Sequence, residues 1–72
     1  MKLERIKNLR EDNDLTQQNL AEYLSISRST YRNYENGDRN IPIEILIKIA
    51  DFYKVSLDYI VGRSSDKNSP QP

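Results

Sequence analysis

Residues 15–37 read LTQQNLAEYLSISRSTYRNYENG. Two of the residues in this stretch can each cap a helix. Thr16 has Leu15 before it and Leu20 at the fourth helical position, and Ser27 has Ile26 before it and Tyr31 at the matching place. An apolar residue on either side of a capping hydroxyl is a hydrophobic staple, which fixes where a helix begins. The third helical positions hold Asn19 and Thr30 rather than Glu or Gln, so the reciprocal half of a capping box is expected to be missing. The stretch therefore predicts a helix over about 17–24 and another over about 28–36, with Ser25, Ile26 and Ser27 between them. Gly37 stops the second, as a glycine just past a C-terminus commonly does.

Outward from this pair the same signals continue. Leu3, Ile6 and Leu9 recur at helical spacing, so a first helix is expected from about Lys2 to Asn13, ended by the turn chemistry of Asp12-Asn13-Asp14. Pro42 suits the first turn of a fourth helix, where its missing N–H does no harm. That helix should reach about Tyr53, with Ile43, Leu46, Ile47 and Ala50 as its core face. Ser56, with Val55 and Ile60, repeats the staple and opens a short fifth helix over about 57–61, closed by Gly62. The result is one all-α domain over 1–62. Residues 63–72, RSSDKNSPQP, hold no apolar side chain to offset ordering entropy and are expected to be a disordered tail.

Composition narrows the chemistry. The 72 residues contain no Cys and no His, so disulfides, thiolate metal sites and the commonest general base are all absent. No glycine-rich phosphate loop is present, and neither a catalytic site nor a cofactor is expected. The longest apolar run, Ile41 to Ala50, is broken by Pro42, Glu44 and Lys48. It is about half of the ~20 residues a membrane span needs, and the N-terminus has no secretory signal, so a cytoplasmic location is expected. The formal net charge is zero, which argues mildly against a nucleic-acid partner. The distribution says more, because Arg28–Tyr34 carries Arg28 and Arg32 and no acid.

Two short helices joined by a three-residue turn form a helix-turn-helix, whose second helix can lie in the major groove of DNA. At about 100° per residue, Tyr31 and Tyr34 point one way and must face the core. Ser29, Arg32, Asn33 and Asn36 lie within about 60° of the opposite direction, with Arg28 and Thr30 on the flanks. Arg can form a bidentate pair with guanine and Asn with adenine, while Ser and Thr serve a base edge or a phosphate. An ordinary solvated helix face is the plainer alternative.

The chain resembles the phage-repressor-type (Xre/Cro-like) helix-turn-helix regulators of bacteria and their phages. The resemblance covers residues 3–62. It rests on Ile6-Lys7-Asn8-Leu9-Arg10, on Leu15-Thr16-Gln17-Gln18-Asn19-Leu20-Ala21 and on Leu24-Ser25-Ile26-Ser27-Arg28-Ser29-Thr30. Tyr34-Glu35-Asn36-Gly37, Leu46-Ile47-Lys48-Ile49-Ala50 and Val55-Ser56-Leu57-Asp58-Tyr59 carry the rest. It implies a five-helix, lambda-repressor-like DNA-binding domain that binds double-stranded operator DNA as a homodimer and acts as a transcriptional regulator, usually a repressor. It also implies that Arg28, Ser29 and Asn33 read bases. Gln17, Thr30, Arg32, Asn36 and Arg39 then hold the DNA backbone, and Arg10 and Glu35 form a structural ion pair. The family usually has Gly where this chain has Ser25, so a left-handed turn there would be strained by roughly 1 kcal/mol.

A dimer needs apolar surface. Ile45 and Phe52, off the expected core face, with Tyr59 and Ile60, are candidates for it, and completing the core is the even alternative. The runner-up function is a protein-interaction module of the same fold, such as an antitoxin or docking domain with a protein partner.

Overall fold

A computed structural model describes residues 3–63. The expected tail lies outside the described residues except for Arg63. The described residues form five helices: α1 Glu4–Asp12, α2 Gln17–Leu24, α3 Arg28–Asn36, α4 Ile43–Tyr53 and α5 Leu57–Ile60. Helix α3 packs on α2 and α1, α5 on α4 and α1, and α2 on α4, so α1 closes the ring from both sides. Tyr31, Ile6, Leu20, Ile49 and Ile60 are the largest side chains wholly inside. Full burial of side chains of this size stabilises by ~1.5–3 kcal/mol each, which is what holds a domain without disulfides together.

Three of the four connections share one construction. A residue in the left-handed conformation ends the helix, an apolar residue comes next, and a hydroxyl then caps the next helix. Asp14, Ser25 and Lys54 take the first place, at φ 56°, 59° and 57°. Leu15, Ile26 and Val55 take the second; their N–H groups donate back to the carbonyls of Arg10, Ala21 and Ala50 at 3.0 Å. Each ending is a Schellman motif. Thr16, Ser27 and Ser56 take the third place, accepting from the N–H of Asn19, Thr30 and Tyr59. Thus each stapling residue closes one helix and opens the next. Gly37 ends α3 in the same left-handed way at φ 82°, and Asp38 N–H donates to Asn33 O at 2.9 Å.

Two expectations need correcting. The cap at Thr16 is a complete capping box, because Asn19 Oδ1 accepts from Thr16 N–H at 2.9 Å. Asparagine has the carbonyl that the role requires, and glutamate's length is not needed. The core face of α4 is Leu46, Ile49 and Ala50, while Ile43 is 53% and Ile47 46% exposed. The i, i+3, i+4, i+7 row is real, but Ile49, Ile45 and Phe52 form an equally apolar row turned about two-fifths of the way around the helix. Packing of α2 and α5 against that side decides between them.

Candidate nucleic-acid interface

Helix α3 is positioned from its buried side. Tyr31 and Tyr34 face inward, and so does Glu35, which is 2% exposed. A carboxylate there needs partners, since an unpaired buried charge is expensive. Arg10 of α1 supplies them. Its Nε donates to Glu35 Oε2 at 2.7 Å and its Nη2 to Oε1 at 3.3 Å, while Nη1 donates to Leu15 O at 2.8 Å. Gln17, the first residue of α2, donates from Nε2 to Glu35 Oε1 at 3.2 Å. One carboxylate therefore ties together α1, the start of α2 and the end of α3.

The network sets the ionisation of its members. Burial pushes the Glu35 carboxyl up, but its polar neighbours, Arg10 foremost and then Tyr31 and Gln17, together outweigh it, and the group sits below the ordinary carboxyl range. The same pairing raises Arg10. The Tyr31 hydroxyl is buried close enough to Glu35 for the carboxylate to add to the upward push of burial on its phenol. It makes no hydrogen bond of good geometry there. Burial also pushes Tyr53 up, to about 12.

With its inner side fixed, α3 turns Arg28, Ser29, Arg32 and Asn36 fully outward, with Asn33 half-buried beside them. Arg28, Ser29 and Arg32 line one shallow cleft of about 240 Å³. Thr30 is half-buried, and its hydroxyl accepts from Ser27 Oγ at 2.8 Å, so that side chain is held toward the helix start. Arg39 is exposed, its N–H donating to Asn33 O at 3.3 Å. Gln17 lies at the N-terminus of α2, where first-turn N–H groups lack helical partners and the helix dipole favours an anion. Its amide nitrogen carries two hydrogens, so one remains beyond the bond to Glu35.

The expected outward apolar face changes. Ile60 is 1% exposed and belongs to the core, because α5 is pinned between α4 and α1. Ile45, Phe52 and Tyr59 are half-buried and pack against the core. Tyr59 is also engaged by Arg5, whose Nη1 donates to Tyr59 O at 2.8 Å and whose guanidinium lies 4.2 Å from the ring centre. Phe52 packs against Tyr23 with the rings tilted and their centres 4.6 Å apart. Sequence reasoning missed the Arg5–Tyr59 contact, which spans 54 residues with no local signal, and the Gln17–Glu35 bond. Among the described residues no helix is long and apolar enough to cross a membrane.

Comparison with known proteins is consistent with this geometry. A family model described as Helix-turn-helix matches residues 6–60. The chain is 43% identical over 65 residues to the uncharacterized HTH-type transcriptional regulator YqaE of Bacillus subtilis, covering 89% of this chain and 56% of that one. It is 38% identical over 66 residues to the cryptic phage CTXphi transcriptional repressor RstR of Vibrio cholerae, covering 90% and 59%. It is also 38% identical over 63 residues to the antitoxin PezA of Streptococcus pneumoniae, covering 88% and 40%. The chain thus spans about three-fifths or less of the length of these relatives.

Proposed function

Because the chain belongs to the helix-turn-helix family of phage-repressor (Xre/Cro-like) type, we propose that it binds double-stranded operator DNA and regulates transcription, most simply as a repressor, by occupying its site. The observation that carries this is the two-sidedness of α3. Two tyrosines and a tied carboxylate hold one side in the core, and the other side presents arginine, serine and asparagine with no acid. Arg28, Ser29 and Asn33 read base edges from the major groove. Gln17, Thr30, Arg32, Asn36 and Arg39 hold the sugar-phosphate backbone, helped by the N-terminus of α2. Two copies place their α3 helices in successive major grooves about one helical turn, ~34 Å, apart. Their mutual contact draws on Ile45, Phe52 and Tyr59 without Ile60. The work is done in the cytoplasm, needs no cofactor and is binding rather than catalysis.

Binding to duplex pools across a salt series is the test. Affinity should fall steeply as salt rises, because phosphate contacts release counterions. Arg28→Ala should relax preference at one base pair and weaken specific binding by ~1–3 kcal/mol. If that substitution changes neither affinity nor preference, α3 is not the reading helix. The likeness to an antitoxin and the exposed Ile43 and Ile47 favour a second reading, a protein-docking module. Its association would be nearly insensitive to salt.

A further inference from the structure

The four guanidinium groups on α1 and α3 are of two kinds. Arg5 and Arg10 are committed to Tyr59 and Glu35. Arg28 and Arg32 are exposed, and neither side chain makes a hydrogen bond or ion pair among the described residues. They stand four apart on α3, so their side chains are neighbours on its surface. Two like charges at that spacing repel, and cations near a helix N-terminus oppose its dipole. The arrangement works against the free domain, and an acceptor-rich ligand lying between the two groups relieves it.

We infer that Arg32 is a second base-reading residue and that Arg28 and Arg32 together select a half-site with two guanines within three consecutive base pairs. The inference rests on the proposed DNA-binding function and revises the backbone role given to Arg32 there. Taking the buried tyrosines as the inward direction, Ser29 lies within about 10° of straight outward, Arg32 about 50° from it and Arg28 about 90°. The middle of the outward face meets the floor of the groove and its flanks meet the phosphate walls. Arg32 is thus nearer the floor than Arg28, and the two line one cleft together with Ser29. Four residues rise about 6 Å along the helix. Base pairs follow one another every ~3.4 Å, so the two forks span about two steps. A guanidinium fork matches O6 and N7 of guanine in the major groove.

The experiment is selection of bound duplexes from a random pool with the full chain and its Arg28→Ala, Arg32→Ala and Arg32→Lys variants. Affinities for the selected site are then measured with each guanine replaced by 7-deazaguanine, across a salt series. The expected result is a consensus holding two close guanines. Each alanine variant should lose preference at one of them and about 5- to 140-fold in specific affinity. Arg32→Lys, whose ammonium still donates to guanine O6 and N7, should keep part of the guanine preference and the whole salt slope, and 7-deazaguanine should weaken the wild type but not the matching alanine variant. If Arg32→Ala instead weakens all sequences alike and lowers the salt slope by about one, Arg32 touches phosphate. The inference then fails while the DNA-binding function stands. If no sequence is enriched and binding does not respond to salt, both fail. Circular dichroism melts check that these exposed substitutions leave the fold intact.

Discussion

Replacing Arg10 by methionine isolates what the buried carboxylate of α3 requires. Methionine keeps part of the aliphatic stem but removes three hydrogen bonds, two to Glu35 and one to Leu15 O. Glu35, 2% exposed, is left with Gln17 alone. Breaking a buried pair from one side costs ~3–5 kcal/mol, whereas an exposed pair is worth under ~1 kcal/mol. Described residues 3–63 number 61, and at ~0.05–0.15 kcal/mol per residue their total stability is ~3–9 kcal/mol. Arg10→Met should therefore remove a third or more of the stability and, at the lower end, unfold the domain at neutral pH. Urea unfolding followed by circular dichroism measures this. So does Tm, which should fall by about 12 °C or more, at ~4–8 °C per kcal/mol for a domain of this size. The companion Arg10→Met/Glu35→Leu removes both charges and should recover most of the loss, because the penalty lies in the stranded carboxylate. A single variant that costs under ~1 kcal/mol, or a double variant no better than the single, would refute the argument that desolvation of Glu35 governs the position of α3.

The pH dependence arises from the same carboxyl. Its folded value lies below the ordinary 4.5, so the unfolded chain takes up the proton first. The stability from Glu35 is present in full above about pH 4.5 and is lost as pH falls through the folded value. Glu35→Gln should flatten the fall in urea midpoint between about pH 5 and pH 3 relative to wild type; parallel curves would remove Glu35 as its source. Ser25→Gly and Lys54→Gly should each raise stability by ~1 kcal/mol, since both positions are left-handed and only glycine adopts that conformation without a Cβ clash. A lower Tm in both would show that the loss of a side chain outweighs the relief. Ser27→Ala removes the acceptor for Thr30 N–H and should cost ~0.5–2 kcal/mol in thermal melts. Tyr31→Phe removes a buried hydroxyl with no well-formed hydrogen bond, and its urea midpoint should match or exceed that of wild type.

The helix starts were legible because a capping hydroxyl between two apolar residues is a local pattern, and Thr16, Ser27 and Ser56 all cap as the pattern requires. Gly37 was legible as a stop for the same reason. Asp14, Ser25 and Lys54 do the same work without glycine's signature. Their left-handed conformation is imposed by the apolar residue next in the chain, since Leu15, Ile26 and Val55 must turn back onto the core. At Ser25 only the resemblance gave warning. The inward turn of Tyr31 and Tyr34 was readable from helical geometry, but the true face of α4 was not. Its sequence IEILIKIADFY is apolar on more than one side, and periodicity cannot choose between two apolar rows. That choice belongs to packing partners far along the chain, as does the Arg5–Tyr59 contact.

The neutral total charge misleads for a related reason. Eleven basic and eleven acidic residues cancel in a sum, yet a surface potential depends on which charges are already answered. Arg10 spends its charge inside, on Glu35, and Arg5 is laid over an aromatic ring. Removing a matched pair such as Arg10 and Glu35 leaves the net charge untouched and the outer field nearly so. Arg28 and Arg32 have no such partner and stand together on a side of α3 that has no acid. What a polyanion meets on approach is therefore set by this unpaired couple, by the exposed Arg39 and by the first-turn N–H groups of α2 that the Thr16 cap leaves unbonded. A domain neutral in sum can for this reason show a locally positive face, and composition alone cannot reveal it.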